Sequence, residues 1–217
     1  MIQIAVAGNI GSGKTTLTKM LTERLEWTAH YETSEVNPYI NDFYCNMQRW
    51  SFNLQISFLY SRFKQIVDIR SGKENVIQDR SIYEDASIFA PNLHSMGLLD
   101  SRDFQTYTDL FQLSASFVPP PDLLIYIKAS VKTLVQQIAN RGRIYEKSIN
   151  RDYLKNLNYR YDAWIKSYNL GKVLVIDIDK VNFLTSQDCF ETVLKQVTEM
   201  LGLPYTPPPP EKKKIKK

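Results

Sequence analysis

The chain has 217 residues, 43% hydrophobic and 23% charged, an ordinary globular composition with length for one well-buried domain. Its formal net charge of +4 resides in the final heptapeptide EKKKIKK (211–217), so the body is neutral and offers no footing for a nucleic-acid surface. No apolar run approaches the length that spans a bilayer, and Cys45 and Cys189 fit no metal or Cys-x-x-Cys spacing, as expected of free thiols in a reducing compartment.

MIQIAVAG lacks a charged leader and runs straight into a glycine loop, so a cytoplasmic location is expected. IQIAVAG (2–8) predicts a short buried strand, and Leu17, Met20, Leu21 and Leu25 set helical spacing over 15–26. Between them GNIGSGKT (8–15) matches G-x-x-x-x-G-K-[ST] in full, in the strand–loop–helix setting that the pattern requires. Glycines there let backbone N–H groups curl around a phosphate, and the helix N-terminus adds partial positive charge. Lys14 would reach the β- and γ-phosphates, and the Thr15 hydroxyl would ligate Mg²⁺. A bound nucleoside triphosphate is therefore expected; the acceptor of its phosphate is the open question.

Residues 28–31 suggest a second strand, and Glu32 at its end could accept a proton from an attacking hydroxyl. A solvated loop acid is the alternative for Glu32, and Glu35 is a rival that spacing leaves open. WSFNLQISFLYSRF (50–63) alternates apolar and polar residues like a strand at first. However, neither Gly nor Pro occurs between Cys45 and Ser71, and Phe52, Ile56, Leu59, Phe63 and Ile66 carry helical spacing past the point where alternation fails. On that long helix Gln55 and Arg62 lie about 20° apart around the axis and roughly 10 Å apart along it. One face thus presents an amide and a guanidinium with Phe58 and Leu59 between them.

NVIQD (75–79) predicts a strand leading to a helical segment, and QDRS (78–81) puts Asp79 and Arg80 at the strand end. An acid there can hold Mg²⁺ and an arginine can neutralise a transferring phosphoryl group; a structural ion pair fits as well. DLLIYIK (122–128) is a further strand, followed by helical spacing over 131–139. In NRGR (140–143), with Glu146 beyond it, Arg141 and Arg143 either complement the helix dipole or form a lid that clamps phosphates. KVLVIDID (172–179) and a helix over 186–201 complete the pattern, before a tail with four consecutive prolines (207–210). His30 and His94 have no partner spacing and receive no role.

Short apolar strands alternating with amphipathic helices predict an α/β fold, an open parallel sheet with helices on both faces. One domain is expected over 1–203, with 204–217 a flexible Pro/Lys-rich tail. The candidate motifs fall at the carboxyl ends of the strands, where such sheets bind ligands. A GTPase switch would call for a guanine-reading [NT]KxD motif, and the sequence contains none.

Taken together, GNIGSGKTT (8–16), ExxxxNPYxxxFY (32–44), WSFxLQxxFLxxRF (50–63), QDRSIYED (78–85) and RGRxxE (141–146) resemble the deoxyribonucleoside kinases, most closely the bacterial deoxyadenosine kinases. The resemblance covers nearly the whole chain before the tail, and all five motifs in order are highly specific. It implies a P-loop kinase fold with a five-stranded parallel sheet, a helix-packed homodimer, and transfer of the γ-phosphoryl of ATP or another triphosphate to a deoxynucleoside 5′-hydroxyl. By matching position, Gly8, Asn9, Gly11, Ser12, Gly13, Lys14, Thr15 and Thr16 would cradle the triphosphate, Arg141 and Arg143 would be lid arginines (lid about 141–150), and Thr15 with Asp79 would serve Mg²⁺. Glu32 looks like the base at the 5′-hydroxyl, and Arg80 like the group that steadies hydroxyl and phosphates. Tyr44 and Glu146 match residues that hold the sugar 3′-hydroxyl, and Phe89 matches an aromatic that stacks on the base. Gln55 matches the residue that pairs with the base, with Arg62 and Asp85 the pair seen where purines or cytosine are accepted. Two departures are Glu32-Thr33-Ser34 where many relatives have Glu-Pro-Val, and Leu54 where several have an aromatic, which implies a looser base pocket. Deoxyadenosine is the expected acceptor. A deoxyguanosine- or deoxycytidine-preferring or broad kinase is the alternative, with a thymidylate-kinase-type enzyme and a non-enzymatic nucleotide switch more remote.

Overall fold

The computed structural model describes residues 1–32 and 36–207. Glu35, the rival to Glu32, and the lysine-rich end of the tail lie outside the described residues. Five parallel strands form one sheet in the order β2–β3–β1–β4–β5: β1 (Gln3–Gly8), β2 (Thr28–His30), β3 (Val76–Asp79), β4 (Leu123–Lys128) and β5 (Lys172–Asp177). The expected α/β class and five-stranded sheet are both present. The last strand ends two residues before the sequence expectation, because Ile178 and Asp179 turn away while Ile178 N–H still bonds to Lys128 O at 3.0 Å.

Central strands are buried on both faces, so their side chains divide by parity. Ile4, Val6, Ile125 and Ile127 meet α1 (Lys14–Leu25), α7 (Val131–Arg141) and α9 (Gln187–Leu201) through Leu17, Leu21, Leu134, Phe190, Val193 and Val197. On the opposite face the small Ala5 and Ala7, with Leu124, pack against Trp164 and Ile165 of α8 (Arg151–Ser167). A second core lies over that face and joins α2 (Ile40–Cys45), α3 (Met47–Ser71), α5 (Ala90–Ser95) and α6 (Ser101–Ser116). Helices α6 and α8 are not among the elements expected from the sequence, although their signals are present in it. Asp100 and Asn150 cap them through the N–H groups of Asp103 and Tyr153, and Phe104, Tyr107 and Phe111 or Tyr153, Leu157, Tyr161 and Trp164 keep the apolar period.

The false strand signal of residues 50–58 lies inside α3, a 25-residue helix capped by the Asn46 side chain on Arg49 N–H. Its fully buried stripe is Ser51, Leu54, Gln55, Leu59, Arg62, Ile66 and Ile69. Leu59 and Ile66 of the expected Phe52–Ile56–Leu59–Phe63–Ile66 stripe lie in it, while Phe52, Ile56 and Phe63 fall on its flank, so the buried face is rotated from the expected one. The rotation has a physical cause. Arg62 faces inward onto Glu32 and Asp85 and Gln55 faces the cavity, while the large aromatics occupy the half-buried flanks.

Candidate active site

Three neighbouring strand ends converge on one cleft. Gly8 ends β1, Asp79 ends β3 beside Val6 in the parallel register, and Glu32 lies two residues past β2. Residues from the phosphate loop, α2, α3, the end of β3 and the segment after α7 line a cavity of about 870 Å³ including its open mouth. Deeply buried ligand clefts of the size of a nucleotide fall in that range.

The phosphate loop is shaped by its backbone. Gly8, Gly11 and Gly13 have φ of 154°, 80° and 91°, and at Gly8 a Cβ would lie 2.6 Å from Ser12 Oγ and 2.8 Å from Ile127 O. Asn9 uses its side chain to fasten the loop to α8, donating to Leu154 O at 2.9 Å and Asn158 Oδ1 at 2.8 Å. Lys14 is buried at the start of α1 with Nζ on Asn9 O at 3.0 Å. Burial and the nearby Arg80 guanidinium lower its ammonium to about 8, against the opposing pull of Asp79 and Glu32. The Thr15 hydroxyl donates to Asp79 Oδ2 at 2.6 Å, and Asp79 Oδ1 is buried with no hydrogen-bond partner among the described residues. Burial raises the Asp79 carboxyl, with Lys14 resisting. Ser12 and Thr16 complete the loop, Ser12 buried and Thr16 exposed at the helix start.

The acceptor side is built from charges. Glu32 receives Arg62 Nη2 on Oε1 at 2.8 Å and Arg80 Nε on Oε2 at 3.1 Å. Burial opposes its ionisation, but Arg80, Arg62 and Lys14 outweigh burial and hold the carboxyl far below the usual range. Arg62 also donates through Nε to Asp85, and both partners are almost wholly buried. Burial works against the Arg62 charge, and Asp85 and Glu32 more than restore it. Arg62 lies one layer behind the cavity wall, whereas Gln55, Asp85, Phe58 and Phe89 line it. Gln55 is 2% exposed, and its Oε1 has no partner among the described residues.

Asp85 and Phe89 bracket a π-helical turn (Asp85–Phe89) inserted between α4 (Ile82–Glu84) and α5. The wider turn brings both side chains into the cavity wall, and such turns recur at functional sites. The Arg80 guanidinium covers one face of the Phe89 ring, 4.7 Å from its centroid.

After α7, Arg141 forms a two-point pair with Glu146, with Nε on Oε2 at 3.1 Å and Nη2 on Oε1. Arg143 Nη1 stands 3.6 Å from the same carboxylate. Tyr44 stacks on Tyr145 with centroids 5.6 Å apart, and both line the cavity with Glu146 and Tyr153. Of the residues expected at the site, Lys14, Thr15, Glu32, Tyr44, Gln55, Arg80, Asp85, Phe89, Arg141, Arg143 and Glu146 line the cavity. Asp79 bonds to Thr15 beside it, Arg62 is set behind the wall, the Asn9 side chain turns to α8 and Thr16 is exposed. Sequence reasoning missed Glu84 and Tyr161, which are wholly buried and sit between the phosphate loop and Arg80. The only local signal for Glu84 was its spacing from Ser81, the Ser-x-x-Glu form of a capping box.

Comparison with known proteins gives this site its family. The Deoxynucleoside kinase family matches residues 4–202. This chain belongs to the deoxynucleoside kinase family. It is similar to the deoxyadenosine/deoxycytidine kinase of Bacillus subtilis (38% identical, 91% of this chain and 92% of the relative). Similarity extends to the deoxyadenosine kinase of Lactobacillus acidophilus (37% identical, 93% and 97% covered). Among solved structures it resembles the deoxyadenosine kinase from M. mycoides with bound dATP, with a TM-score of 0.80 and 28% identity over 91% of this chain and all of that one. The fold is that of the P-loop kinases, and the chain is a phosphotransferase that phosphorylates a deoxynucleoside. Among the described residues no helix is long and apolar enough to cross a membrane.

Proposed function

We propose that this kinase transfers the γ-phosphoryl group of ATP to the 5′-hydroxyl of deoxyadenosine in nucleotide salvage. The observation that carries the reading is the buried Gln55 amide, which opens into the same cavity as Lys14 and Glu32 and keeps Oε1 without a partner among the described residues. An amide offers a donor and an acceptor side by side, which matches the adjacent nitrogen groups of adenine. The relatives of highest identity cited above, at 38% and 37%, are named for deoxyadenosine, which supports the same choice. Deoxyguanosine is the second reading, favoured by the 36% identity to the deoxyguanosine kinase of Bacillus subtilis and by guanine's own donor–acceptor edge.

Glu32, ionised across the ordinary pH range, orients the 5′-hydroxyl and accepts its proton as the new bond forms. Lys14, Arg80 and the lid pair Arg141 and Arg143 disperse the charge of the phosphoryl group, with 141–150 acting as the lid. Tyr44 and Glu146 hold the sugar 3′-hydroxyl, Phe89 stacks on the base, and Asp85 with Arg62 behind it fixes the far end of the pocket. Thr15 and the unpaired Asp79 Oδ1 fit a hard, oxygen-seeking cation and would hold Mg²⁺, which supplies charge neutralisation at the phosphates. The exposed apolar residues Tyr60 and Val67 of α3, Leu110 and Leu113 of α6 and Phe117 just after it support a helix-packed homodimer, checked by light scattering. The exposed, unpaired Cys45 suits a cytoplasmic setting.

The deciding experiment is ATP consumption with each deoxynucleoside supplied singly. Turnover highest with deoxyadenosine is expected. Preference for deoxyguanosine would replace the acceptor, and turnover only with a nucleoside monophosphate would remove the reading.

A further inference from the structure

Arg80 occupies a backbone conformation that its residue type resists. Its φ is 70°, left-handed, at the point where β3 stops and α4 begins, a position usually given to glycine. Glu84 is what holds that turn. Its Oε2 accepts from Ser81 N–H at 2.8 Å, closing the capping box over the residue that follows Arg80. Its Oε1 accepts from Arg80 Nη1 at 3.3 Å and from Gly8 N–H at 3.1 Å, the first residue of the phosphate loop. Tyr161 from α8 stands at the same point, its hydroxyl 2.8 Å from Glu84 Oε1, 2.9 Å from Gly8 O and 3.0 Å from Arg80 Nη1. Both side chains are wholly buried.

The guanidinium is thereby fixed on three sides. Nε is on Glu32, Nη1 is on Glu84 and Tyr161, and the Phe89 ring covers one face. Nη2 is the group that has no partner among the described residues, and Arg80 lines the cavity beside Lys14 and Glu32. A guanidinium has planar, fixed donors, so fixing two edges determines the direction of the third. We infer that Glu84 and Tyr161 are positioning residues that aim Arg80 Nη2 at the transferring phosphoryl group and lock the phosphate loop in register with it. The inference rests on the assignment of Arg80 to the phosphoryl group made above. Electrostatic stabilisation of a transition state depends on donors held in place before the reaction, so a loosened Arg80 should slow the chemical step while substrates still bind.

The test is a mutant cycle on the full chain with Glu84→Gln, Tyr161→Phe and Arg80→Lys, read as kcat, KM for each substrate and melting temperature. Tyr161→Phe keeps the ring and its packing, so it serves if Glu84→Gln fails to fold. Each of the two positioning variants should lower kcat by about 10- to 100-fold with KM for ATP and deoxynucleoside changed less than about threefold. In the Arg80→Lys background the same change should cost less than about threefold, because the group it aims is already gone. Losses that multiply in full would overturn the inference and show a separate structural role. A parallel rise of KM with unchanged kcat would overturn it as well. Undiminished turnover in Arg80→Lys alone would overturn both this inference and the role proposed for Arg80, and so distinguishes the two failures.

Discussion

The two halves of the cleft are made in different ways. The phosphate half is one contiguous stretch, Gly8 to Thr15, whose shape is a property of the backbone: three glycines at positive φ, and at Gly8 no room for a Cβ. The acceptor half is made of side chains from four separate segments: Glu32, Arg62, Arg80 and Asp85 are joined by buried ion pairs, and Gln55 stands beside them on the cavity wall. Backbone anion sites tolerate almost any neighbour that leaves the loop its path. A charge network has no such tolerance, because removing one member leaves its partner charged, buried and unpaired. The acceptor half should accordingly be the more fragile in both stability and chemistry.

The largest effect should come from Glu32→Gln. It removes the acceptor of the hydroxyl proton, and turnover should drop by about 10²- to 10⁴-fold while ATP affinity stays close to that of the parent. Unchanged turnover would withdraw Glu32 as the base. Next comes Arg62→Ala, which strips Asp85 of its partner and Glu32 of one of two. Denaturant titration should register a loss of about 3–5 kcal/mol, and turnover should fall with every deoxynucleoside. A loss confined to deoxyadenosine, with stability intact, would instead make Arg62 a reader of the base rather than a brace. Gln55→Leu is nearly isosteric and uncharged, so the fold should hold. Competition assays should show discrimination between bases shrinking by about 1–3 kcal/mol, the worth of a paired hydrogen-bond contact.

The smallest effect belongs to the phosphate half and depends on pH. Lys14 titrates near 8 in the folded chain and at 10.5 in the unfolded one. Between those values the unfolded chain binds the extra proton, so this group makes the unliganded protein more stable as pH rises through that window. Triphosphate binding has the opposite sign and should weaken above pH 8, by up to about tenfold per unit, as the ammonium charge is lost. The melting-temperature increment given by ATP should shrink over the same range and flatten in Lys14→Met. An increment that stays constant through the window would assign the binding to the loop N–H groups alone.

The expectations that held were those resting on local rules. A glycine-rich loop between strand and helix is legible because its function needs only neighbouring residues and their φ angles. The period of α3 was legible because no residue from 46 to 71 breaks a helix, and 100° per residue puts Gln55 and Arg62 on one side. The stripe that faces inward was legible only in part, through Leu59 and Ile66. A mixed helix with aromatics on several sides gains burial in more than one orientation, and partners elsewhere in the chain choose among them. The pairing of Arg62 with Asp85 followed from family resemblance, because nothing in a separation of 23 residues implies contact.

The sequence by itself determined the sheet class, the phosphate loop and, through its ordered motifs, the family. Tertiary structure alone decided that Arg62 braces two carboxylates from behind the cavity wall, that the Asn9 side chain serves α8, and that Glu84 and Tyr161 connect the loop to Arg80. The reason is the range of the forces involved. Backbone conformation is set within a few residues, whereas a buried charge must be answered by whichever opposite charge the fold brings beside it.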